Sequence, residues 1–118
     1  MADYQKLIDE ETWAFIEKTN ACYPEDTATF GVEDQRQIYN DMCTEFRAPY
    51  PVGVTALDHD YGGVPCRQYT SGGSDVVVMY YHGGGFVVGG LDSHDDVCAE
   101  VCEASGHGVV SVEYRMAP

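Results

Sequence analysis

Three consecutive glycines behind a histidine, His82, Gly83, Gly84 and Gly85, are the stretch of this sequence best suited to chemistry. They follow a run of β-formers, residues 75–81 (DVVVMYY), and precede a helix-like stretch, so the local reading is strand, glycine turn, helix. Glycines in series carry no Cβ; the backbone can take positive φ and present its N–H groups to a ligand at close range. A turn of this kind binds negative charge. That charge is either a phosphate that stays or an oxyanion that exists only in a transition state.

The phosphate reading rests on Gly83, Gly85 and Gly89, which fit G-x-G-x-x-x-G, a looser form of the dinucleotide fingerprint. Glu113 closes the next strand, where a ribose-binding acid would sit. Against it, a histidine stands before the first glycine, the glycines are contiguous, and two helices and a hairpin precede what should be the first strand of that fold. A second cluster, His94, Cys98 and Cys102, shares one helix face at i, i+4 and i+8 and has the chemistry of zinc ligands. A helix packed on a sheet also uses cysteine as a small apolar residue, and no second ligand cluster exists. No metal and no cofactor is therefore expected. The five cysteines are an odd number without a C-x-x-C pair and are read as reduced, buried thiols.

Stepping from the loop to the chain that positions it, 118 residues allow one domain at most, long enough for a core and short for a complete α/β enzyme. A hydrophobic content of 44% describes a folded chain. The net charge of −14, from 20 acidic and 6 basic residues, argues against nucleic acid or an anionic membrane as partner. The first residues, MADYQKLIDEE, lack a basic region followed by an apolar one, and no apolar run is long enough to span a bilayer; a cytoplasmic location is the default expectation.

Helical periodicity predicts an amphipathic helix over residues 3–18 and a second over 32–46, ending before Pro49 and Pro51. Residues 54–60 and 64–70 flank Gly62 and Gly63 and predict an antiparallel hairpin at a sheet edge, where Pro65 is tolerated because an edge strand can spare one N–H. Residues 76–81 are apolar throughout, as in a strand covered on both faces in the middle of a sheet. Asp92 or Ser93 is expected to cap a helix running to about residue 104, with Gly106 beyond its end and another strand over 107–114. The strand, helix, strand unit should be parallel with a right-handed crossover.

The stretch HGGGFVVGGLDSHDDVCAEV followed by GHGVVSVEYRMAP resembles the hormone-sensitive-lipase-like esterases, whose pattern is HGGGF, a glycine pair, HD at the helix start and a (D)YRLAPE segment after the fourth strand. Gly89, Gly90, His94, Asp95, Tyr114, Arg115, Ala117 and Pro118 stand at those positions, with Glu113 for the usual Asp and Met116 for the usual Leu. The resemblance implies the N-terminal part of an α/β-hydrolase fold: residues 1–50 as a helical cap segment, and 51–118 as an antiparallel hairpin followed by strand, helix and strand, in a sheet that is incomplete without a C-terminal portion. It also implies a small-molecule carboxylic ester as substrate. Gly83 and Gly84 would donate backbone N–H groups to the oxyanion, each such donor typically contributing roughly 3 to 4 kcal/mol. Gly85 would give the backbone room, His82 would hold the loop by hydrogen bonds, and His94 and Asp95 would fix loop and helix together. Tyr114 and Arg115 would support them, Arg115 pairing with Asp95 or with a carboxylate outside this chain.

The serine elbow G-x-S-x-G that such an enzyme needs, with its acid and histidine, is absent: Ser71, Ser74, Ser93, Ser105 and Ser111 all lack the flanking glycines. The family places the elbow downstream of YRLAPE. This chain is therefore expected to be inactive alone, and the strand over 76–81 to have an unpaired edge that takes the missing C-terminal portion or another copy. The alternatives are a non-catalytic binding or assembly module of the same fold, or a dinucleotide-binding unit.

Overall fold

The computed structural model describes residues 4–118, so Asp3, expected to open the first helix, lies outside the described residues. The predicted first helix is two: α1, Tyr4–Leu7, and α2, Glu10–Ala21. The break falls at Asp9, whose carboxylate accepts from the Thr12 N–H at 2.7 Å and so caps α2 instead of continuing α1. A short 3-10 turn, Thr27–Thr29, leads into α3, Val32–Phe46, with the bounds the periodicity predicts. Glu33 and Asp34 in its first turn compensate for a glycine N-cap that offers no side chain. The two longer helices meet through Phe15 and Phe46, whose rings are 5.0 Å apart, and through the Lys18 ammonium, 4.5 Å from the Phe46 centroid. Neither α2 nor α3 has a fully buried residue.

Four strands form one mixed sheet, β1 Thr55–Asp60, β2 Pro65–Thr70, β3 Val77–Tyr80 and β4 Gly108–Val112, in the order β1-β2-β4-β3. The hairpin forms as predicted, Thr55 opposite Thr70 and Asp60 opposite Pro65. β2, however, is interior, since it also pairs antiparallel with β4. Pro65 is therefore tolerated for a different reason from the one expected: it is the first residue of its strand, and its carbonyl still accepts from Glu113 at 2.9 Å.

Parallel pairing of β3 with β4, Val78 opposite Val109, completes the expected crossover through α4, Asp95–Ser105. β3 has its outer edge unpaired among the described residues, as expected; the cover expected on both of its faces is missing, Val77 and Met79 being half-exposed, and the most buried strand is β4. The reason is one-sided cover. α4 packs Cys98, Ala99 and Cys102 against Tyr69, Val109 and Val54, and this is the main core. On the opposite face Cys66, Val110 and Val112 gather only Tyr114, leaving an open groove of about 370 Å³ walled by Val64, Met79 and Tyr81. Cys98 and Cys102 are thus core residues, and burial pushes the Cys98 thiol up to about 11. All five cysteines are free thiols. Among the described residues no helix is long and apolar enough to cross a membrane.

One buried charge joins the layers. Asp95, on the first turn of α4, accepts from Tyr69 and Tyr50 hydroxyls at 2.7 Å each and from Arg67 at 3.0 Å. Arg67 also binds Asp58 at 2.6 Å and Asp92 at 2.9 Å. Burial alone would raise the Asp95 carboxyl, but the hydrogen bonds from Tyr50, Tyr69 and Arg67 outweigh it and hold the group below its usual value.

The stability Asp95 contributes is accordingly present above its unfolded value of about 4 and is lost as pH falls through the lower folded value. Urea denaturation at pH 7 should show Asp95→Asn less stable by about 1 to 3 kcal/mol. The variant should also be less acid-sensitive below pH ~4 than the unaltered chain; equal acid sensitivity in both would clear Asp95 as a source of that slope.

Candidate oxyanion site

The segment between β3 and α4 is a loop of more than ten residues, not a turn opening directly on a helix, which removes the geometry a dinucleotide site requires. Glu113, the would-be ribose acid, is folded into that loop: its carboxylate accepts from the Leu91 N–H at 2.9 Å. Two glycines are obligatory. A Cβ on Gly84, at φ +121°, would stand 2.0 Å from the Val88 carbonyl oxygen. One on Gly89, at φ +95°, would stand 2.5 Å from His82 Nδ1 and 2.6 Å from the Gly83 oxygen. Gly85 was expected to provide room, but the space around it is open; what it supplies is φ +62°, and Phe86 follows at φ +64° although it is not glycine. The Gly84 carbonyl closes the bend by accepting from the N–H groups of Val87 and Val88, both at 3.1 Å.

The donors themselves are left unengaged. Among the described residues the amides of Gly83, Gly84 and Gly85 donate to no protein acceptor, and Gly83 and Gly85 face solvent. An amide in this state is held by its neighbours and needs little reorganisation to receive a negative oxygen.

His82 is 3% exposed, and its ring serves the loop. Nδ1 lies 2.8 Å from the Gly83 carbonyl, which can only accept, so Nδ1 carries the proton. The ring stacks on Tyr114, with centroids 4.4 Å apart, and the Tyr114 hydroxyl donates to the His82 carbonyl. Nε2 has no hydrogen-bond partner and lies 4.0 Å from Glu113 Oε1. Ser93 does not cap α4 as expected; its hydroxyl bridges the N–H and C=O of Gly90, and the cap position is His94, which makes no side-chain cap bond. His94 rests its Nδ1 2.9 Å from Ser93 Oγ and packs near the rings of His82, Tyr80 and Tyr39. Burial first, and then the neighbouring His82, lower its pKa.

The structure therefore gathers His82, Gly83, Gly84, Gly85, His94, Asp95 and Tyr114 around one loop. Arg115 is the exception: it is exposed, without an ion pair or hydrogen bond among the described residues, and Asp95 takes Arg67 instead. Arg36 and Arg67 are the supports that sequence reasoning missed. Arg36, on α3, donates from Nε to the Val87 carbonyl at 2.8 Å and from the guanidinium to the Ala117 carbonyl at 3.0 Å. The only sequence signal for either was scarcity, since few arginines stand among so many acids. A polar cavity of about 340 Å³ separates α3 from the loop, walled by Asn40, Arg36, Arg67, Gly90 and Glu113; it reaches neither Gly83 nor Gly84. Among the described residues no three His, Cys, Asp or Glu side chains are placed to hold a metal.

A sequence model described as alpha/beta hydrolase fold matches residues 78–118, which contain the loop and the Tyr114-Arg115 segment. The chain is similar to Carboxylic ester hydrolase LipN of Mycobacterium tuberculosis, 41% identical over 84 residues that make up 70% of this chain and 20% of that protein. It is 55% identical over 94 residues to Esterase LipI of the same organism, 75% of this chain and 29% of that one. Among solved structures, an esterase from the bacterial hormone-sensitive lipase family superposes with a TM-score of 0.71 at 27% identity, covering 86% of this chain and 33% of that protein. The chain thus spans about a third or less of the length of these relatives. Its fold is that of the α/β hydrolases, and it is similar to the hormone-sensitive-lipase-like esterases.

Proposed function

We propose that this chain supplies the oxyanion hole of a serine carboxylesterase, with Gly83 and Gly84 as its backbone donors. The observation that carries this reading is the run of unengaged amides, Gly83 and Gly84 among them, on a bend held by the His82 ring at the Gly83 carbonyl and by the Val87 and Val88 N–H groups at the Gly84 carbonyl. The relatives' names, carboxylic ester hydrolase and esterase, support a carboxylic ester as the substrate class. In this reading residues 1–50 are the cap segment, and 51–118 the first strands and crossover helix of the catalytic domain. A serine hydroxyl attacks the ester carbonyl, charge moves onto the carbonyl oxygen, and the two N–H groups receive it. His82 keeps the loop in shape and takes no proton from the nucleophile. No serine of this sequence lies on a G-x-S-x-G elbow, so the hydroxyl comes from polypeptide outside these residues, and the chain alone does not turn over ester.

A second reading, an assembly module, is favoured by a specific observation: the sheet face carrying Val110 and Val112 and the free edge of β3 are both open. The partner is then the rest of an esterase chain or another copy. The charge of −14 sets copies against one another at low salt and favours the first.

Mixing this chain with the part of Esterase LipI that lies beyond the matched segment should give hydrolysis of a p-nitrophenyl ester that neither part shows alone. Replacing the Gly84 amide by an ester linkage should then lower kcat about 10²- to 10³-fold. Hydrolysis by the isolated chain, abolished by a serine-directed reagent, would overturn the reading. In sedimentation the isolated chain should associate once high salt screens its charge; a monodisperse monomer with cooperative unfolding at high salt would exclude pairing with another copy.

A further inference from the structure

Phe86 occupies left-handed backbone, which a side chain of its kind rarely adopts; its side chain is 70% exposed and makes one edge-on ring contact, with Tyr114 at 6.4 Å between centroids. What holds it is hydrogen bonding on either side. Its carbonyl accepts from the Ala117 N–H at 2.8 Å, the Ala117 carbonyl accepts from the Arg36 guanidinium at 3.0 Å, and Arg36 Nε returns to the Val87 carbonyl at 2.8 Å. One guanidinium therefore spans two backbone segments 30 residues apart in sequence and closes the far limb of the glycine bend. Glu33, 2.6 Å away on the same helix, holds the guanidinium in register. No residue of α3 is fully buried; besides the ring of Tyr39 beside His94, the helix is seated by such polar bonds, which continue just past its end with Arg47 to the Asp92 carbonyl and the Ala48 amide to Asp96.

We propose that Arg36 is the positioning residue of the oxyanion loop, coupling helix α3 to the orientation of the Gly83 and Gly84 amides. It touches neither substrate nor reacting atoms; its effect on catalysis rests on the esterase reading above, while its effect on the loop does not. Lysine cannot replace it, because one ammonium has no fork with which to reach both carbonyls.

Amide hydrogen exchange of the 118-residue chain tests the clamp. Arg36→Met should speed exchange at Val87, Val88 and Ala117 by about tenfold or more and leave Val109 and Val110 in β4 unchanged, with Arg36→Lys in between. Unchanged rates at the loop, or an equal rise everywhere, would overturn the proposal. In the mixture with the LipI portion, Arg36→Met should lower kcat about tenfold with KM within about twofold; a raised KM at unchanged kcat would overturn the positioning role. An inactive unaltered mixture would sink the esterase reading alone, with the exchange result still deciding the clamp.

Discussion

Backbone N–H groups in a folded protein are almost always paired, because an unpaired one away from water costs as much as a lost hydrogen bond. An oxyanion loop has to break that rule at two or three positions and hold the broken geometry still. The glycine loop of this chain leaves the Gly83, Gly84 and Gly85 amides without a protein acceptor and binds many of the groups around them. His82 Nδ1 takes the Gly83 carbonyl, Val87 and Val88 take the Gly84 carbonyl, Glu113 takes the Leu91 amide and Ser93 takes both groups of Gly90. A Cβ at Gly84 or Gly89 would destroy the close approaches this needs.

The distribution of positive charge follows from the same constraint. In a chain of 20 acids and 6 bases, three of the arginines are directed at one region. Arg36 binds the loop at Val87, Arg47 binds the Asp92 carbonyl, and Arg67 gathers Asp58, Asp92 and Asp95. Exposed ion pairs contribute little to stability, but these guanidiniums are largely covered or bound to backbone carbonyls, where geometry matters more than net energy. Their task is to locate α3, β2 and α4 relative to the loop.

Cover is uneven elsewhere. β4 is paired on both edges, and α4 protects one face of the sheet, which fixes the register that brings β3 and hence His82 to the loop. The other face has a small apolar cluster and an open groove. The glycine loop is thus well bound as a local structure while the layer beneath it is covered on one side only.

Much of this was legible in residue order alone. The strand, the glycine bend and the crossover helix followed from β-formers, contiguous glycines and helical spacing, because these are short-range preferences of the backbone; so did the bounds of α3 and the hairpin across Gly62 and Gly63. The resemblance carried by HGGGF and YR named the family for the same reason, since a motif is local. What tertiary structure decided is which groups meet across long stretches of chain. An acid can be satisfied by any donor that arrives, so nothing in the sequence distinguished Arg67 from Arg115 as the partner of Asp95. Arg36 could not be read as a loop clamp from a helix 46 residues earlier. That Gly84 and Gly89, more than Gly85, need to be glycine depended on which atoms pack against them, and the half-exposure of Val77 and Met79 depended on what covers that face of β3, which an apolar run does not encode.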